Sequence, residues 1–163
     1  MTVLKIRWTI RRTGMSPLTD NFTVEELTAS TTAAAKGIDN TPDTRILANL
    51  KRLAIKLEFI RVLVGKPINI SSGYRCPALN KAVGGAKDSA HVLGLAADIN
   101  VDGYTPKQLG MLVKASGLEV DQVIQEFPDR ANGGWLHIGL SEGVLRHQFL
   151  TIKTGTGYMQ GLV

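Results

Sequence analysis

Apolar and polar residues alternate strictly near the start of the chain. Leu4, Ile6, Trp8 and Ile10 point one way and Lys5, Arg7 and Thr9 the other, the pattern of a strand with one buried face. Arg11 to Asn21, with Gly14 and Pro17, reads as a linker. Thr23-Val24-Glu25-Glu26 is a capping box, so a short helix is expected from there. Ala29 to Asn40 is small and polar and reads as a loop turning at Gly37. Thr41 as N-cap and Pro42 at the first helical position open the clearest helix of the chain. Its apolar residues Ile46, Leu50, Leu53, Leu57, Ile60 and Val64 recur at helical spacing. Gly65 ends it and Pro67 prevents its return.

The second half has the period of strands. Pro67 to Ser71 is expected as a short strand with Ile68 and Ile70 on one face, and Gly73 to Ser89 as a turn-rich stretch around Gly84-Gly85. Ala97 to Val101 is a strand whose Ala97, Ile99 and Val101 face a core, which turns Asp98 and Asn100 to the opposite face. Thr105-Pro106-Lys107-Gln108 starts a capped helix closed by Gly117. Val120 to Phe127 and Trp135 to Leu140 form a hairpin around Pro128–Gly134, and Phe149 to Lys153 is a last strand. Helices followed by short strands with one inserted helix predict an α+β fold with a small, mostly antiparallel sheet. Residues 1–20 read as an N-terminal strand and linker, 21–153 as one domain with helices on one face of the sheet, and 154–163, with Gly155, Gly157 and Gly161, as a flexible tail.

Composition narrows the class. A chain of 163 residues, 44% hydrophobic and 20% charged, suits a single globular core. No stretch approaches the roughly eighteen apolar residues of a membrane helix, so membrane insertion is not expected. The basic N-terminus lacks the apolar region of a secretory signal, which leads to an expectation of synthesis in a cytoplasm. The net charge of +5 suits an anionic partner, but its lysines and arginines are dispersed and no nucleic-acid motif is present. Cys76 is the only cysteine, which excludes an internal disulfide and a multi-cysteine metal site. It reads as a small half-buried residue beside Pro77, the alternative being a nucleophile next to Arg75.

The chemistry-bearing residues are His91, Asp98 and His137. Asp98 follows His91 after six residues that include Gly94, a loop-to-strand spacing and not that of a helix face. On the second hairpin strand, Trp135, His137 and Gly139 share the face opposite Leu136, Ile138 and Leu140. Asp98 and His137 thus stand on the polar side of a sheet whose other side is buried. Two imidazoles and a carboxylate are the N/O donor set of a catalytic zinc site with one position open to water. Arg75, just upstream, offers a planar fork of donors for an anionic or carbonyl-bearing substrate.

Ser72-Gly73-Tyr74-Arg75, Asn80, Val83-Gly84-Gly85-Ala86, Ser89-x-His91-x-x-Gly94-x-Ala96-x-Asp98 and Trp135-x-His137 resemble the zinc D-alanyl-D-alanine carboxypeptidases and endopeptidases, the M15 peptidases. Asn21-Phe22-Thr23-x-Glu25-Glu26-Leu27 and Gly37-Ile38-Asp39-Asn40-x-Pro42 are similar to the small bacteriophage and prophage branch. The resemblance covers roughly residues 20–152. It implies one Zn²⁺ per chain, held by His91, Asp98 and His137 on the sheet face away from the helices, with Arg75 on the substrate carboxylate or oxyanion. Many relatives carry a glutamate three residues before the last histidine; here that position is Gly134. The phage branch has a Glu-Phe pair on the preceding strand, which Glu126-Phe127 matches, and Asp129 is the second choice of base. Whether Glu126 shares a face with His137 depends on hairpin register, which the sequence leaves open. Ser89, Tyr74, Gln122 and Trp135 are expected at the substrate, Asp121 in support, and His147 on the surface.

The resemblance implies a monomeric hydrolase of peptidoglycan stem peptides or cross-links. It would be a DD-carboxypeptidase or endopeptidase acting on the cell wall as a phage lysis enzyme (endolysin) or carried in a virion. Two other readings stand beside it. One is a non-catalytic zinc module of the same fold. The other is a virion structural protein that assembles through the strand of residues 3–10.

Overall fold

A computed structural model describes residues 16–163. The expected strand at residues 3–10, and any assembly through it, lies outside the described residues. Three helices come first: α1 (Val24–Thr28), α2 (Thr31–Lys36) and α3 (Thr44–Val64). Then follow β1 (Asn69–Ser72), α4 (Pro77–Ala82), a 3-10 turn (Ala90–Leu93), β2 (Ala96–Asn100), α5 (Pro106–Ser116), β3 (Gln122–Glu126), β4 (Trp135–Gly139), β5 (Gln148–Ile152) and β6 (Met159–Gln160). The six strands form one sheet in the order β1-β2-β4-β3-β5-β6. Every pairing is antiparallel except β3 with β5. This is the expected α+β class, with helices packed on the sheet.

The expected caps explain most of the helices. Thr23 and Glu26 close the capping box of α1, and Thr105 and Gln108 that of α5. The apolar stripe of α3 is buried as its period requires, while Ala97, Ile99, Val123, Leu136 and Ile138 supply the facing side of the same core.

Several local expectations are corrected. Ala29–Asn40 is not all loop: the alanine-rich run forms α2, opened by the Ser30 side chain accepting from Ala33 N and closed by Gly37 in a left-handed conformation. The turn-rich stretch after Gly73 contains α4, because Pro77 is preorganised for a first helical turn and Cys76 Sγ accepts from Leu79 N. Cys76 is therefore a cap. Thr41 does not cap α3; its N–H is drawn to Asp39 Oδ1, and Asp43 takes the cap with Oδ1 accepting from Ile46 N at 2.8 Å. The strand at Gln148–Ile152 is not the last, because β6 pairs with it. Residues 154–163, expected as a tail, carry β6, and Leu162 is buried.

Candidate metal centre

Gly73 ends β1 against α1, where a Cβ would lie 2.2 Å from the Leu27 carbonyl oxygen. Only glycine permits that approach. The Gly73 carbonyl then accepts from His91 Nδ1 at 2.7 Å, across to the 3-10 turn. With Nδ1 carrying the proton, His91 Nε2 presents a lone pair, a common arrangement behind a metal ligand. Asn40 holds the same strap: its Nδ2 donates to Thr28 O and Tyr74 O, and its Oδ1 accepts from Cys76 N. Asn80 supports the loop before His91 by donating to Ala86 O.

β2 and β4 pair with Asp98 directly opposite His137. His137 Nδ1 lies 2.9 Å from Asp98 Oδ1, and His91 Nε2 lies 3.2 Å from each of those two atoms. All three side chains are buried. Among the described residues they form a group that could hold a metal ion, with their ligand atoms within 4.8 Å of one another. The donor chemistry fits a cation. Two ring nitrogens and a carboxylate oxygen converge on one point, and one of the imidazoles is already oriented from behind. Burial pushes His91 below its ordinary range, against the pull of Asp98, so it is neutral as a ligand must be. Burial also opposes charge on His137, but the Asp98 hydrogen bond and charge outweigh it and raise the group. Asp98 is held far below the usual carboxylate range because the two histidines outweigh its burial.

Hairpin register places Glu126. Ile124 pairs with His137 and Glu126 with Trp135, so Glu126 shares the face of His137. Trp135 Nε1 donates to Glu126 Oε2 at 3.0 Å. Burial first, and then the Asp98 carboxylate, push Glu126 above the usual carboxylate range. Gly134 shows why an acid is absent there. It has φ +71°, and a Cβ on it would lie 2.0 Å from the Glu126 carbonyl oxygen. The backbone behind Glu126 thus occupies the space that a side chain at 134 would need.

Arg75 Nη2 stands 3.7 Å from Asp98 Oδ2, and its Nε is buried with no hydrogen-bond partner. A cleft of about 400 Å³ opens beside Asp98, lined by Ser71, Ser72, Asn100, Asn132, Gly134 and Trp135. Of these, only Trp135 was expected at a substrate. Asn100 was legible as the strand neighbour on the Asp98 face, whereas Asn132 reaches the cleft through the hairpin loop.

The remaining expected residues are dispersed. Tyr74 is packed in the core, where burial first, and then Cys76, Asp43 and Asp39, push its hydroxyl above its ordinary range. Gln122 is on the His137 face but donates to Gln148 Oε1, bridging β3 to β5. Ser89 precedes the 3-10 turn and its side chain makes no capping bond. Asp121 is buried under Arg146, and Asp129 is an exposed acceptor for Thr154 N. His147 is exposed.

In comparison with known proteins, the family model described as Peptidase M15 matches residues 20–128. No curated protein matches the chain.

Proposed function

The chain belongs to the peptidase M15 family, and from that premise we propose that it hydrolyses a peptide bond in the stem peptides or cross-links of bacterial peptidoglycan. His91, Asp98 and His137 would hold one Zn²⁺. The observation that carries this reading is the convergence of those three buried side chains on the sheet face that also bears Glu126. When bound, the ion would supply Lewis acidity to a water and to the scissile carbonyl.

The chain's own residues do the rest. Glu126 takes a proton from the attacking water as the water oxygen joins the carbonyl carbon. It returns that proton to the amine as the C–N bond breaks. A carboxyl raised by burial suits both halves of this exchange, and Trp135 holds it in place. Arg75, with donors to spare, steadies the substrate carboxylate or the developing oxyanion. The asparagines and serines of the cleft offer uncharged hydrogen bonds suited to a peptide backbone. Among the described residues no helix is long and apolar enough to cross a membrane. The positive net charge suits an anionic cell wall. A phage or prophage lysis role, with action on the wall after release or from a virion, is part of the same proposal and rests on the resemblance of residues 21–42.

Digestion of purified peptidoglycan, read by mass spectrometry of the fragments, tests it. A chelator should abolish hydrolysis and Zn²⁺ restore it. Glu126→Gln should keep fold and zinc while losing roughly 10²–10⁴ in turnover. Full activity after chelation would overturn the metal chemistry. A wild type that binds zinc but cleaves no cell wall would favour the non-catalytic module, the reading that Gly134 in place of an acid keeps in view.

A further inference from the structure

The C-terminal ten residues lie beyond the family match, yet they are built onto the sheet that carries the metal centre. β6 pairs Gln160 with Leu150 and Met159 with Thr151. Continuing that ladder one step sets Tyr158 beside Ile152, and Ile152 is the partner of Glu126, itself the partner of Trp135. Trp135, Glu126, Ile152 and Tyr158 therefore form one cross-strand row, and neighbours across a ladder share a face. Two strand spacings, about 10 Å, separate Tyr158 from Glu126 at the backbone.

The segment is anchored just after Tyr158, at residues 161–163. Gly161 N donates to Phe149 O at 2.8 Å, and Thr151 Oγ1 donates to Gly161 O at 2.8 Å. Gln125 Nε2 donates to Val163 O at 2.9 Å, and Leu162 is buried on the core side. Tyr158 itself is 64% exposed, a large aromatic with a polar tip that adds nothing to the core. Burial of its hydroxyl end, and then the carboxylates of Glu126, Asp88 and Asp98, push that hydroxyl above its ordinary range. It is thus a neutral donor over the whole working range of a peptidase, and the acids that act on it include those of the centre.

The cleft lined by Ser72, Asn100 and Asn132 opens from the β1–β2 side of Asp98. β6 is the opposite edge of the sheet. A peptide whose scissile bond sits at the centre extends both ways from it, and a half that leaves the cleft across β3 and β5 would meet Tyr158. We propose that Tyr158 is a substrate-binding residue of this peptidase, its hydroxyl donating to a carbonyl or carboxylate of the peptide half that lies opposite the Ser72–Asn132 cleft. This rests on the peptidase reading above. It assigns to the tail a part in selecting how much peptide must extend beyond the cleaved bond.

Zinc-loaded wild type, Tyr158→Phe and Tyr158→Ala are compared on a free stem pentapeptide and on a cross-linked dimer. KM and kcat are read separately, with zinc content and melting temperature alongside. Loss of one hydrogen bond should raise KM by roughly fivefold in the Phe variant, and loss of the ring as well by roughly tenfold or more in the Ala variant. Zinc content should be unchanged and kcat within about twofold. Calorimetry of the peptide that wild type binds, on Glu126→Gln with and without Tyr158→Phe, should show the same weakening without turnover. The Phe variant decides the matter if the Ala variant melts early. Equal KM and equal binding in a wild type that cleaves would overturn the role of Tyr158 alone. A wild type that neither binds nor cleaves stem peptides would overturn the peptidase reading and this inference with it.

Discussion

Asp121, just before β3, and Glu126, its last residue, show how environment divides two carboxyls. Burial raises both, but in Asp121 the hydrogen bonds from Arg146 outweigh it, and the group lies below its ordinary 3.8. A depressed folded value contributes stability above the unfolded value, and that contribution is lost as pH falls through the folded one. Arg146→Ala should therefore destabilise the protein at pH 7, where Asp121 would be charged and buried with only the backbone N–H of residue 146 left of the hydrogen bonds from that residue. The loss should be about 1 kcal/mol, the low end for a buried carboxylate, because Arg146 is largely solvent-screened. The gap in melting temperature between variant and wild type should narrow as pH drops below about 4, where that carboxyl ordinarily protonates. A gap that stays constant from pH 7 to 3 would contradict the assignment. In Glu126 burial and then the Asp98 carboxylate outweigh the His137 charge, the Trp135 hydrogen bond and the Arg75 charge, and the group lies above its ordinary range.

The β3–β4 hairpin is the element on which the site depends. Its register sets Ile124 opposite His137 and Glu126 opposite Trp135, and its return is made at Gly133 and Gly134, both with positive φ. Just before it Phe127 also takes a left-handed φ of 51°, an uncommon conformation for a side chain of that size. Arg130 stacks over the Phe127 ring at 3.7 Å and holds the loop there. Gly134→Ala adds a Cβ that meets the Glu126 carbonyl oxygen. It should cost about 2 kcal/mol or more in urea unfolding. Because the clash falls on Glu126, the base proposed above, the folded variant should also lose activity on cell wall at temperatures well below its midpoint. A variant as stable and as active as wild type would show that the hairpin repacks freely.

At the scale of the whole molecule, two layers divide the work: α5 and α3 with the inner sheet face make the core, and the outer face carries the group that could hold a metal ion. The C-terminus joins them. Leu162 reaches across to α5, where a Cβ on Gly110 would lie 2.8 Å from Leu162 Cδ1 and 3.1 Å from Leu136 Cδ1. Leu162→Ala should cost about 2–3 kcal/mol by chemical denaturation, as for other buried leucines. A change below about 0.5 kcal/mol, typical of surface sites, would mean that the segment contributes nothing to the fold. The sequence by itself was enough for the long helix, the capped α5, the hairpin and the strand carrying Asp98. Those follow from local rules of period, cap and turn, and so did the division of Asp98 and His137 from the core, because strand period alone assigns the face. α2 and α4 were missed because they are too short to establish an apolar period. Only the tertiary structure decided the rest. Register brought Glu126 to the His137 side, a backbone contact excluded an acid at 134, the strap at Gly73 oriented His91, Tyr74 went into the core, and a parallel β3–β5 pairing carried the tail, with Tyr158, back to the rim. Each of those depends on contacts between residues far apart in the chain, whose free energy exists only once the sheet has closed.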